Sequence, residues 1–383
     1  MKIFILFYSW QCGGIETRSY RFYKNLINCG YDARLISVNA TEKQPQNVLC
    51  FPELEVFSRK NFLDYVKKEK ILKEDILFLF RPGSNVDGQH FEKYGLEKLP
   101  FYFEHLKYFE NCKKIVYMYG NAETQQMAYY PQVIEKMDFV ASSFLVNKNR
   151  ERFFINDPFR KENLAFEKPI WWFNISISPK ERKIVKTFLE KPSLLKNNKS
   201  VIFTGRVTPE KSVVRLIRTF LRLDKKKFDC RIYGVDSFSR ERWYAEQKFG
   251  KENFDKFYFG KYNGIFDAKK VLKEFNFGIN LRKKNHEKFH ILEQTTIEYM
   301  INGVLPIISD NFLPKEKKLP LRIFVYESGK ENKEEDFLFD IITENFDKKR
   351  NKNYRIDNWN YLLKYHNGKK VVESFLEFIE KGV

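Results

Sequence analysis

Cysteine is scarce and scattered. The five residues, Cys12, Cys29, Cys50, Cys112 and Cys230, form no CxxC pair and are odd in number. That argues against a disulfide framework or a thiolate metal site and fits a reducing compartment. Histidine is as sparse: His90, His105, His286, His290 and His366 make no HExxH spacing. GxSxG, Walker A and GxGxxG motifs are all missing, so hydrolase, kinase, zinc-deaminase and dinucleotide readings lack their motifs. No apolar run approaches the roughly 20 residues of a transmembrane helix. The opening MKIFILFYSW has no small-residue cleavage site, so it reads as a first strand rather than a signal peptide.

Positive charge is abundant. The 383 residues carry a net charge of +19 with 43% apolar residues. That length predicts two domains. The charge favours a polyanion, whether nucleic acid, an anionic membrane surface or an acidic substrate. Richness in lysine, asparagine and phenylalanine also fits an AT-rich genome, which needs no partner at all.

A βα rhythm runs through both halves. Lys2 to Tyr8 is a continuous apolar strand, followed by Gly13, Gly14, Ile15 and Glu16 at a turn. A helix from Ile15 to Cys29 is expected to bury Tyr20, Tyr23, Leu26 and Ile27. Gly30 ends it, and Ala33 to Val38 is the next strand. A glycine turn at a strand's carboxyl end is a common ligand position and equally a packing turn. Further strands are read at Ile76–Phe80, Ile115–Tyr119 and Asp138–Ser142. Asn121 and Glu123 then stand at a strand end as candidate cleft residues or plain surface polarity. Asn147 to Lys161 is basic with interleaved phenylalanines. It suits a phosphate backbone with base stacking, or a solvated helix whose phenylalanines face the core.

The second half restarts at Ser200–Phe203, which feeds Gly205, Arg206 and Lys211 before an amphipathic helix, Val213–Leu223. An arginine fork and a lysine point charge beside a glycine turn suit a diphosphate. Strands are expected at Cys230–Gly234, Lys256–Gly260 and Asn276–Leu281, the last leading into Arg282, Lys283 and Lys284. Pro179–Pro192 reads as a charged helix, Glu331–Arg355 as a charged peripheral tail, and Trp359–Glu380 as helical.

Phe289 to Pro306 organises the second half. Thr295-Thr296-Ile297-Glu298 matches a capping box, with Thr295 as N-cap and a helix from Thr296 to about Asn302. Gly303 follows as its C′ residue and Val304–Ser309 as a buried strand. Glu298 then either caps its helix or, facing a cleft, accepts hydrogen bonds from two ribose hydroxyls. Backbone N–H groups beside it would attract phosphate.

Together these motifs resemble the retaining glycosyltransferases of the GT-B fold. The matches are Gly13-Gly14-Ile15-Glu16, Gly205-Arg206…Lys211 and Glu298…Gly303…Pro306-Ile307-Ile308. The resemblance implies an α/β chain with two Rossmann-like domains facing across a cleft. The N-terminal, acceptor-side domain spans 1–170, a linker 171–195, and the nucleotide-sugar domain 196–358. A helical segment, 359–383, crosses back.

Leu292-Glu293-Gln294-Thr295 before Glu298 gives L-E-x-T-x-x-E, which is similar to the DNA α-glucosyltransferases of T-even bacteriophages. Three departures stand beside this likeness. His290 occupies the position where many GT-B members have a glutamate. Ser212 replaces the glycine usual after the motif lysine. Tyr119 and Gly120 are followed by no histidine–aspartate pair.

The implied chemistry moves glucose from UDP-glucose to 5-hydroxymethylcytosine or 5-hydroxymethyluracil in double-stranded phage DNA. Arg206 and Lys211 would neutralise the diphosphate, Glu298 would hold the ribose, and Glu293 would sit by the sugar. Gly13 and Gly14 would approach the donor, while Glu16, Asn121 and Glu123 are acceptor-side candidates. No metal and no further cofactor is required, because fixed cations supply the electrostatic stabilisation. The implied location is the cytoplasm of an infected host. The alternative is a GT-B enzyme of envelope polysaccharide or glycolipid synthesis, its basic face against anionic lipid.

Overall fold

The computed structural model describes residues 1–7, 14–39, 51, 53–81, 106–118, 135–142, 152–157, 162–194, 198–208, 211–234, 239–260, 265–281, 292–309, 324–326 and 334–381. The chain forms two compact units, Met1–Pro179 with Gly368–Val383, and Lys180–Asn367. Unit 1 is therefore discontinuous in sequence.

Unit 1 is built on β1 (Lys2–Phe7), β2 (Asp32–Asn39), β3 (Leu54–Ser58), β4 (Ile76–Arg81), β5 (Lys113–Met118), β6 (Phe139–Ser142), an antiparallel pair β7 (Arg152–Asp157) and β8 (Glu162–Glu167), and β9 (Ile170–Trp172). Seven of these make one parallel sheet in the order β3-β2-β1-β4-β5-β6-β9. Runs such as KIFILF can lie in it because a parallel sheet covered on both faces buries both sides of a strand. The order reverses direction between β1 and β4, which makes the carboxyl end of β1 the switch point of a doubly wound sheet.

On one face, Phe62 and Val66 of α2 (Arg59–Lys68) pack with Phe4, Leu6, Leu77 and Leu79. On the other, Phe22 of α1 (Gly14–Asn28) joins Phe78, Trp171, Phe173 and Phe375, the last from the C-terminal helix Gly368–Lys381. That helix sits close on α1. A Cβ at Gly368 would come 2.0 Å from Asn25 Oδ1, so a side chain there would push Asn25 off Ser176 Oγ and the Ile177 carbonyl.

Two expectations for unit 1 need correction. Helix α1 buries Phe22 and Leu26 but leaves Ile27 41% exposed, and Tyr20 and Tyr23 are only half-buried. Its inward stripe includes polar Arg18, Arg21 and Asn25, which hydrophobic spacing alone does not reveal. Within Asn147–Lys161, residues 152–157 form strand β7 rather than a helix; the remainder of that segment lies outside the described residues.

Unit 2 begins with α3 (Pro179–Glu190) and holds β10 (Ser200–Thr204), α4 (Val213–Asp224), β11 (Asp229–Tyr233), α5 (Ser239–Phe249), α6 (Lys251–Phe257), α7 (Ile265–Val271), β12 (Phe277–Asn280), α8 (Gln294–Ile301), β13 (Leu305–Ser309), β14 (Phe324–Tyr326), α9 (Glu334–Glu344) and α10 (Lys348–Tyr365). Its parallel sheet runs β11-β10-β12-β13-β14. Counted within the unit this is order 2-1-3-4-5, the other common doubly wound arrangement, with its switch point between β10 and β12. The stripe Val213, Leu216, Ile217, Phe220 and Leu223 of α4 fills one face of the core, with the three-and-four spacing of an amphipathic helix.

Lys256–Gly260 is not a strand. Residues up to Phe257 finish α6, with Phe254 and Phe257 buried one turn apart, and only Tyr258 bridges to Ile232. Within the segment expected to be peripheral, helix α9 is not, because Leu338, Ile341 and Ile342 enter the core. The helical stretch 359–380 is two helices, broken at His366 and Asn367.

Helix α10 braces α8. Trp359, fully buried, donates from Nε1 to the Met300 carbonyl at 2.9 Å. Arg355 donates from Nε to the Gly303 carbonyl at 2.6 Å and bonds Asn276 Oδ1 through Nη2. Desolvation lowers the Arg355 pKa to about 10, which leaves it charged at neutral pH.

Candidate active site

The carboxyl ends of β10 and β12 carry the site. After Thr204 the chain turns through Gly205, whose φ of 149° suits glycine. The turn presses so close to Gly234 that a Cβ there would lie 1.8 Å from the Gly205 carbonyl oxygen. Arg206 follows and is exposed. Lys211 closes the turn, its N–H donating to the Thr208 carbonyl at 3.0 Å. Ser212, the N-cap of α4, adopts the left-handed conformation at φ 52°, ψ 42°.

Helix α8 starts earlier than the capping box predicts. Its N-cap is Glu293, at φ −67°, ψ 152°, and no side chain caps it. Thr295 therefore lies inside the first turn, and Glu298 lies a turn beyond the capping positions. With the cap role removed, both carboxylates are committed to other contacts. Asn280, 1% exposed at the end of β12, donates from Nδ2 to Glu293 Oε2 at 2.6 Å and to Thr296 Oγ1 at 3.3 Å. Lys211 Nζ donates to Asn280 Oδ1 at 3.1 Å and stands 3.5 Å from Glu293 Oε2. Glu298 is buried, and its Oε1 accepts from Gln294 Nε2 at 2.9 Å. The Gln294 Oε1 atom is buried without a hydrogen-bond partner among the described residues.

Tyr299 fixes α8 against the sheet. Its hydroxyl accepts from the Thr204 N–H at 2.9 Å and the Thr204 hydroxyl at 3.0 Å, and donates to the Ile279 carbonyl at 3.1 Å. Burial pushes this phenol well above its ordinary pKa, so it stays protonated. The ring has room because residue 278 is glycine; a Cβ there would be 2.6 Å from it. Helix α8 ends at Asn302 and Gly303, the latter at φ 73°, as its C′ position requires.

The structure thus brings Lys211 and Glu293 together and sets Glu298 further along the same helix, with Arg206 on the same turn as Lys211. In unit 1, Gly14 opens α1 and Glu16 is buried in its first turn. Gly13, Asn121, Glu123, Arg282–Lys284 and His290 lie outside the described residues. Sequence reasoning missed Asn280 and Gln294. A polar residue closing the apolar run FNFGIN is a signal for the first. The second had none beyond its place between the two glutamates.

No family model and no curated protein sequence matches this chain. Solved structures do. An α-glucosyltransferase in complex with UDP and a 13-mer DNA containing an HMU base superposes with a TM-score of 0.71 at 14% identity, over 99% of both chains. The α-glucosyltransferase with UDP alone gives 0.70 at 12% identity, again over 99% of both. The fold is GT-B. More distant GT-B structures match over similar lengths, among them the pneumococcal O-GlcNAc transferase GtfA with UDP and GlcNAc, at a TM-score of 0.62 and 11% identity over 100% of this chain and 99% of that one. In GT-B terms the Arg206, Lys211, Glu293 and Glu298 set belongs to the C-terminal Rossmann-like unit, at its switch point.

Proposed function

We propose that the chain is a retaining glycosyltransferase that moves glucose from UDP-glucose to a hydroxymethylated pyrimidine in duplex DNA. One observation carries the donor half. The strand order of unit 2 supports it without reference to any motif: sheets of this order take ligands at the switch point, here between β10 and β12, and the Lys211–Asn280–Glu293 contact lies at those two strand ends. Arg206 and Lys211 supply fixed positive charge for a diphosphate whose negative charge grows as it departs. Glu298, oriented by Gln294, accepts from the ribose hydroxyls. Glu293, beside the sugar, orients its hydroxyls. The anomeric carbon–phosphate oxygen bond breaks, and a bond to the acceptor hydroxymethyl oxygen forms on the same face. The acceptor proton passes to the departing phosphate. No covalent enzyme residue is assigned. Glycine residues 13 and 14 approach the donor, while Glu16, Asn121 and Glu123 serve the acceptor side.

The acceptor half rests on L-E-x-T-x-x-E, on the net charge of +19, and on the DNA held by α-glucosyltransferases of the same fold. To reach the donor sugar, the target base is flipped out of the stack. The second reading, transfer to an envelope glycan or lipid, is favoured by the same charge, which suits an anionic lipid surface. The test offers radiolabelled UDP-glucose, beside other nucleotide sugars, with hydroxymethylcytosine DNA, hydroxymethyluracil DNA, unmodified DNA and a polyprenyl-phosphate-linked sugar. Label in modified DNA alone is the expected result. Label only in the lipid fraction would overturn the acceptor assignment and leave the donor site standing.

A further inference from the structure

We infer that Asn280 is the positioning residue that holds Lys211 and Glu293 in register for transfer. The inference rests on the transferase reading and deepens it. Its warrant is a matter of which atoms can face which. Lysine has only donors and an ionised glutamate only acceptors. An amide between them must therefore turn its oxygen to Lys211 and its nitrogen to Glu293, as it does at 3.1 Å and 2.6 Å. The second Nδ2 hydrogen is taken by Thr296 Oγ1 at 3.3 Å. With three partners and almost no solvent exposure, the amide cannot rotate without orphaning a buried group. Lys211 and Glu293 themselves meet only at 3.5 Å. The short links both run through Asn280.

Leucine and aspartate, close to asparagine in size, do not reproduce this. Leucine satisfies neither partner. Aspartate offers an acceptor to Lys211 but sets a second carboxylate against Glu293. Two carboxylates at that distance share a proton, which raises the apparent pKa of the pair. Protonated, the substituted carboxyl would donate to Glu293 as the amide does; ionised, it would repel it.

The experiment compares wild type, Asn280→Asp and Asn280→Ala in donor turnover between pH 5 and pH 8, with each variant expressed as a ratio to wild type at the same pH. The expected ratio for Asn280→Ala is about 0.01 at every pH, by analogy with loss of one preorganised active-site donor. For Asn280→Asp it is as low at pH 8 and rises about tenfold or more toward pH 5 as the pair takes up its proton. The double variant Asn280→Asp with Glu293→Gln preserves one amide and one carboxylate. It is expected to melt like wild type, yet to show no recovery in acid. A flat ratio for Asn280→Asp, or the same acid recovery in the double variant, would overturn the inference while leaving the transferase reading intact. A wild type inactive with every nucleotide sugar would overturn both.

Discussion

Glu293 does not cap its helix with its side chain. As the N-cap residue at ψ 152° it stands in extended conformation, and its carboxylate meets Asn280 and Lys211 instead of the helix N–H groups. Glu298, held by Gln294 inside the helix, has a different environment. The two glutamates should therefore fail differently. Glu298→Gln keeps an acceptor for Gln294, so melting should shift by under about 1 kcal/mol of stability. Nucleotide affinity should weaken by about 1.5–3 kcal/mol, the range for hydrogen bonds to a charged group. Glu293→Gln should lower turnover about 100-fold or more and change nucleotide affinity little. Calorimetric nucleotide titration beside single-turnover rates separates the two. Equal losses of stability with unchanged kinetics in both would return Glu298 to a structural role.

The turn into α4 is strained at one position. Ser212 holds φ 52° without a capping hydrogen bond, a conformation that costs an L-residue roughly 1–2 kcal/mol. Ser212→Gly should remove part of that cost, offset by the greater freedom of glycine in the unfolded chain. A net gain of about 0.5–1 kcal/mol in thermal unfolding is expected, with nucleotide binding retained; a lower melting temperature would refute the strain. Strands β1, β2, β4, β5, β6, β10, β11, β12 and β13 were legible in the sequence as continuous apolar runs, whereas the short edge strands β3, β9 and β14 were not. Helix α6 was not, since Phe254, Phe257, Tyr258 and Phe259 favour a strand locally and only burial of the first two on one face decides otherwise. Helix α9 hid within a strongly charged stretch of sequence. The start of α8 was misplaced because Thr295 and Glu298 match a capping pattern that the tertiary contacts of Glu293 override. Lys211, Glu293 and Glu298 could be named from motifs, whereas Asn280 acquires its role only when β12 and α8 come together.

Charge is unevenly shared between the units. Unit 2 has 41 Lys and Arg against 26 Asp and Glu, and unit 1 has 28 against 24, together making the 69 and 50 of the chain. A basic total therefore says less about an acceptor surface in unit 1 than about unit 2. Part of the excess lies far from the candidate site. Lys225, Lys226 and Lys227 are exposed on the turn entering β11, at the edge opposite the carboxyl ends of the strands. Under the DNA reading, affinity for a hydroxymethylated duplex should fall linearly on a log–log plot against salt. Replacing these three lysines with glutamine should leave that slope unchanged, since charges beyond a Debye length of about 8 Å contribute little. Fluorescence anisotropy across a salt series would measure it. A slope reduced by about three would place the polyanion on that opposite edge.

The C-terminal helix gives the chain an unusual birth order. Phe375 completes the aromatic layer with Phe22, Phe78 and Trp171, yet the ribosome makes it only after all of Lys180–Asn367. Unit 2 is contiguous and can close as soon as it has emerged. Unit 1, although started first, must keep those rings wet until Gly368–Lys381 arrives. Synthesis proceeds from the amino end and completion of the fold does not. During that interval the exposed aromatic face of unit 1 is the nascent chain's chief hazard for aggregation.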